Sequence, residues 1–100
     1  MSRLDRDALL AAVAAKLNAT PDADGVADLV AASGRINVAA TGADIGPAID
    51  RLRPLDGYRW IAINADDLFT ASPRTIGTKV GIVDANGRVL KNADLPRKRD

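Results

Sequence analysis

The chain has 100 residues, a net charge of +1 and 47% hydrophobic residues, enough for one domain with a core of its own. It contains no Cys, His, Glu or Gln, and Phe69, Trp60 and Tyr58 are its only aromatics. Disulfides, thiolate or histidine zinc sites and the common Ser–His and Cys–His nucleophile pairs are therefore excluded, and no whole-molecule field draws the chain to nucleic acid or acidic lipid.

Taken in order, Ser2 is placed to cap a first helix, with Asp5 at its third position. Leu9, Leu10, Val13 and Leu17 give that helix an apolar stripe, and Asn18-Ala19 ends it. Ala8 to Ala15 after Arg3 and Arg6 has the outline of a secretion signal. Asp5, Asp7 and Lys16 spoil its charge pattern, so an amphipathic helix is the better reading. No apolar run approaches the roughly 18 residues of a membrane span, and the expected location is cytoplasmic, with no membrane partner. Thr20-Pro21 then reads as the cap and first residue of a second helix, with Val26, Leu29 and Val30 inside and Gly34 closing it. The two helices would form an antiparallel hairpin.

Arg35 to Ala40 reads as a strand with Ile36, Val38 and Ala40 on one face. A turn at Thr41-Gly42-Ala43-Asp44 leads to a helix carrying Ile45, Ala48, Ile49 and Leu52 on one side, stopped by Pro54. Trp60 to Ile63 is continuously apolar, which suits a strand covered on both faces and paired in parallel with the first through the helical crossover. Asn64 to Thr75 reads as loop or short helix, broken at Ser72-Pro73. Thr78–Asp84 and Arg88–Lys91 form a β-hairpin around Asp84-Ala85-Asn86-Gly87, with Asn86 and Gly87 taking left-handed angles. The tail from Asn92 to Asp100 reads as mobile, and no domain boundary appears in residues 1–100.

The expected fold is α+β: an N-terminal helical hairpin, then β-α-β and a C-terminal β-hairpin. These make a three- to four-stranded mixed sheet with the helices on one face. Its expected core is Leu10, Val13, Leu17, Leu29, Ile36, Val38, Ile49, Leu52, Trp60, Ile61, Ile63, Val80, Ile82 and Leu90.

Four clusters deserve a chemical reading. Thr41, Gly42 and Gly46 frame a strand-to-helix turn of the kind that holds anions. However, the dinucleotide-binding G-x-G-x-x-G spacing is not met and Asp44 would repel phosphate, so Gly42 as turn former and Asp44 as cap is the plainer reading. Asp66-Asp67, with Asp44 or Asp84, has the chemistry for Mg²⁺, and Asp22-Ala23-Asp24-Gly25 is a fragment of a calcium loop. Adjacent loop acids are more commonly solvated, and no metal or cofactor is expected. Ser72 and Lys79 carry nucleophile chemistry only if the fold brings them together.

The last cluster is basic. Five bases against two acids from Arg88 onward, including Arg97, Lys98 and Arg99, offer contacts for nucleic-acid phosphates. No aromatic platform accompanies them. Phe69, with Arg88 and Lys91 on the hairpin edge, offers a contact for a protein partner, although the plainer reading folds Phe69 back over the sheet end and leaves Arg88 and Lys91 as a solvated edge. The reading favoured by the missing catalytic residue types is a non-catalytic protein-binding or structural module: an adaptor, inhibitor, accessory subunit or assembly component. Its partner is another protein or a second copy. The alternatives are a nucleic-acid-binding module and a phosphate or nucleotide domain using the 41–46 turn.

Overall fold

A strand that is apolar on both faces must be covered on both sides. Arg59–Ile63 is buried along its whole length, and it sits at the centre of the architecture. The computed structural model describes residues 3–96, which form one six-stranded sheet in the order β1-β2-β3-β4-β5-β6. The strands are β1 Thr20–Pro21, β2 Leu29–Ala31, β3 Gly34–Ala39, β4 Arg59–Ile63, β5 Gly81–Val83 and β6 Val89–Lys91. Three α-helices accompany them: α1 Arg6–Leu17, α2 Gly42–Leu52 and α3 Leu68–Thr75.

The parallel pairing expected between β3 and β4 is present, and a second parallel pairing joins β4 to β5. Ile36 lies opposite Trp60 between β3 and β4, and Ile61 opposite Ile82 between β4 and β5. Both crossovers, through α2 and then α3, step across the sheet in one direction. Crossovers of one hand that step the same way place their helices on the same face. Ala39, Ile61, Ile63 and Ile82 accordingly pack with Ile45, Ala48, Ile49 and Leu52 of α2 and Ala71 of α3. The opposite face, with Ile36, Val38, Trp60, Ala62 and Val83, is covered by Leu9 and Val13 of α1. The fold is a small α+β domain with three layers, which corrects the expectation of helices on one face. The double-sided strand is the reason.

The helical hairpin is also corrected. Where a second helix was expected, the chain makes β1, a loop and β2, and β2 forms an antiparallel hairpin with β3. The acids that suited a helix N-terminus instead bind loop amides, a local alternative to helical hydrogen bonding. Asp22 accepts from the backbone N–H groups of Asp24 (3.0 Å) and Ala27 (2.9 Å). Asp28 accepts from Val38 N–H at 2.8 Å, and its own N–H donates to the buried Asn37 Oδ1 at 2.9 Å. Gly34 turns the hairpin at φ +128°, where an added Cβ would strike the Tyr58 carbonyl. The sheet thus has six strands rather than three or four.

Smaller differences have local causes. Asp5 caps α1 by accepting from Ala8 N–H at 2.8 Å, while Ser2 lies outside the described residues. Helix α2 begins at Gly42 with Thr41 as its cap residue, so Asp44 falls inside the first turn. Residues 76–78 form a turn and Lys79 after it takes φ +65°, leaving β5 shorter than the alternation implied. At the C-terminal hairpin only Gly87 is left-handed, at φ +76°. Asp84 Oδ1 accepts from Asn86 and Arg88 N–H groups and fixes that turn. Of the expected core, Leu10, Leu17 and Leu90 are only half-buried, and Leu9, Ile45 and Val83 are core residues in addition.

Arg59 opens β4 and is 2% exposed. Its guanidinium donates to the carbonyls of Leu52 and Arg53 (both 3.3 Å) and of Thr78 (2.8 Å), a cation at the C-terminal end of α2. Burial pushes its pKa below the ordinary arginine value, with Asp56 acting the other way.

Truncating the fully buried Ile61, or Ile49 beneath it, to Ala is expected to cost about 2–5 kcal/mol in urea unfolding. An unchanged midpoint would contradict the assigned core. A second expectation concerns acid. The N–H groups of Ala27 and Asp24, aided by Arg35, hold the Asp22 carboxyl below its ordinary value. Its contribution is therefore present above the unfolded value near about 4 and is lost as pH falls through the lower folded value. Asp22→Asn should flatten the fall in stability below about pH 4, measured as Tm against pH, relative to wild type.

Candidate functional site

Helix α3 has three sides. Ala71 and Thr75 are buried against the sheet. Thr70 and Arg74 face α2, where Gly42 and Gly46 stand one turn apart. An added Cβ would lie 3.6 Å from Thr70 Cγ2 at Gly42 and 3.3 Å from Arg74 Nη1 at Gly46. The third side carries Phe69 and Pro73 at i and i+4, and Ile76, the residue that ends the helix, follows at i+7. Phe69 is 90% and Ile76 73% exposed, and Pro73 is exposed between them. An apolar ridge therefore points away from the core.

This accounts for the glycines of the expected anion turn. Gly42 and Gly46 leave room for α3, and Thr41 Oγ1 donates to Asp44 Oδ2 at 2.9 Å. A carboxylate thus already stands in the first turn of α2, where a bound anion would sit.

Charge is sorted across the molecule. Arg6 and Arg51 pair with Asp28, Arg35 with Asp22 and Asp24, and Arg53 with Asp50. The acids of the 22–28 loop thereby neutralise the arginines around them. Two bases at α3, Arg74 and Lys91, lack such partners among the described residues. Lys91 Nζ donates to Thr75 Oγ1 at 2.7 Å. Arg88 is exposed in the hairpin turn, and Lys79 lies 3.7 Å from Asp94. Arg97, Lys98 and Arg99 lie outside the described residues.

A cleft of about 370 Å³ opens at the carboxyl ends of β4 and β5, lined among others by Arg3, Leu4, Asn64, Asp66, Asp84 and Asn86. Asn64 fastens its wall. Its Nδ2 donates to the carbonyls of Leu4 and Ala40, and its Oδ1 accepts from Leu4 N–H, each at 3.0 Å. Arg3 donates to both carboxylate oxygens of Asp67 at 2.9 and 2.6 Å, an interaction that holds its pKa above the ordinary value. Among the described residues no three carboxylates gather into a metal-holding cluster, and no hydrogen bond joins Ser72 to Lys79.

Arg74 thus meets α3's neighbour α2 and Lys91 meets the buried side of α3 at Thr75, while Phe69 is exposed on the third side, and the 41–46 turn is occupied by helix packing. Pro73 and Ile76 are the ridge residues that the sequence reading missed. Their spacing from Phe69 is a sequence signal, but it counts only because α3 continues through Ser72-Pro73, where a helix break is expected. No protein-family model, no curated protein and no solved structure matches the chain.

Replacing Asn64 by Ala removes three hydrogen bonds at a buried position. The expected cost is about 1–3 kcal/mol, with faster hydrogen exchange at the Leu4 amide. Unchanged exchange there would show that Asn64 does not hold the N-terminal segment.

Proposed function

We propose that this chain is a non-catalytic protein-binding module that docks through the outward face of α3. The observation that carries the reading is the Phe69–Pro73–Ile76 ridge, which has an aromatic 90% exposed at one end and an isoleucine 73% exposed at the other. One aromatic, one proline and one isoleucine offer on the order of 300–400 Å² of apolar surface, within the range of functional patches on soluble proteins. Anchors at i, i+4 and i+7 fit a helix-binding groove. The absence of His and Cys supports a role without catalysis.

The partner is another protein whose apolar groove has an acidic rim, because Arg74 of α3 and Lys91, which bonds α3 at Thr75, have no ion-pair partners among the described residues. A second copy fits less well. A two-fold contact would bring like charges together, and the ridge falls short of the roughly 800 Å² per partner of a stable dimer.

The test compares capture by wild type, Phe69→Ser/Ile76→Ser and Arg74→Glu baits from source lysate, with and without nuclease, followed by titration of the purified partner. Both variants alter exposed side chains and should leave Tm nearly unchanged. The apolar variant is expected to weaken binding by about 30-fold or more, and Arg74→Glu by a smaller, salt-dependent factor. Equal affinity for all three baits would overturn the reading. Capture that vanishes with nuclease would favour nucleic-acid binding instead.

A further inference from the structure

The cleft beside β4 and β5 has a topological cause. After β4 the chain turns through Ala65–Asp67 into α3, on the face shared with α2. After β5 it turns the other way. Ala85 packs on the α1 face, and Gly87 stands where an added Cβ would lie 3.0 Å from Lys16 Cβ and 3.2 Å from Leu17 Cδ2. Neighbouring parallel strands whose exits leave for opposite faces open a crevice at their carboxyl ends, the usual ligand position in open α/β sheets. The volume of about 370 Å³ is within the range of small-molecule sites.

The polar groups around this crevice are unequally engaged. Every donor of the Asn64 amide is satisfied, and Arg3 is held by Asp67. Asp84 is only 7% exposed, and Oδ1 receives both of the N–H groups it accepts. Its Oδ2 accepts from no described residue, and neither does the exposed Asp66 carboxylate. With Arg3 neutralised, the charge surplus in the crevice is negative, and apart from the Asn86 side-chain amide its free polar groups accept. Leu4, Ala65 and Ala85 supply an apolar wall. An ammonium group has three donors and no acceptor, which matches this surplus, and a short alkyl stem matches the wall. Two carboxylates without a third ligand make a poor cage for a divalent ion.

We propose that the crevice is a binding site for a small primary amine, with its ammonium group on Asp84 Oδ2 and the Asp66 carboxylate and its alkyl chain against Leu4, Ala65 and Ala85. This site is separate from the α3 ridge and does not depend on it.

The probe is 1,4-diaminobutane, followed by amide NMR on the full chain, with magnesium chloride and sodium phosphate titrated in parallel. The expected result is saturable shifts confined to Asn64–Asp66 and Asp84–Asn86, with an apparent Kd at or below about 1 mM. Asp84→Asn keeps the Oδ1 acceptor that fixes the turn, so the fold should persist while affinity falls about tenfold. Asp66→Asn, at an exposed position, should weaken binding without changing Tm. The proposal is overturned by absence of saturation up to about 10 mM amine, or by equal affinity in both Asn variants. It is also overturned if magnesium produces the same shifts at the same concentration, or if phosphate alone binds.

Discussion

The structure depends on one strand that is apolar on both faces. Trp60 and Ala62 point to one side of the sheet, Ile61 and Ile63 to the other, and all are buried. Such a strand is stable only between two covering layers, and the chain supplies them by different routes. The α2 and α3 cover comes automatically from successive crossovers stepping in one direction. The opposite cover has to come from elsewhere, and the alanine-rich α1 provides it. Its small side chains allow a close approach over Ile36, Val38 and Trp60.

Polar side chains fasten these layers. Asn37 is fully buried, donates to the Ala48 carbonyl at 3.1 Å and receives Asp28 N–H, which ties α2 to the loop before β2. Asn64 ties the segment before α1 to the end of β3. Arg59 joins the end of α2 to the turn before β5. Each occupies a place where a regular element stops and backbone groups would otherwise lose their partners, and buried backbone groups left without partners are costly. The chain has no disulfide and few aromatics, so these hydrogen bonds fix relative positions that aliphatic packing alone leaves less specific.

The same economy separates two surfaces. Asp22, Asp24 and Asp28 neutralise arginines on one part of the molecule, while Arg74 and Lys91 stay beside the apolar side of α3. At the carboxyl ends of β4 and β5 the balance reverses, because Arg3 is bound by Asp67 while Asp66 and one oxygen of Asp84 have no partner among the described residues. A nearly neutral protein thus presents an apolar ridge on a helix that carries or binds two unpaired bases, and an acidic crevice.

The sequence by itself determined the elements whose periodicity is complete within a few residues. These are the α1 stripe, β3 with its alternation, the one-sided α2, the buried run Trp60–Ile63 and the Asp84–Gly87 turn. It also determined the parallel pairing of β3 and β4, which follows from an intervening helix. What only the tertiary structure decided was how ambiguous residues were used. Thr20-Pro21 and Asp22 satisfy helix-start rules and loop rules equally. Long-range partners, Arg35 and the edge pairing with β2, selected the loop and strand. Gly42 and Gly46 suit an anion turn or a helix contact, and the arrival of Thr70 and Arg74 chose the contact. The crevice was not legible because it joins residues whose proximity no local pattern encodes, and the ridge was not because local spacing does not say which side of a helix stays uncovered. A side chain's exposure is a property of what the rest of the chain leaves uncovered.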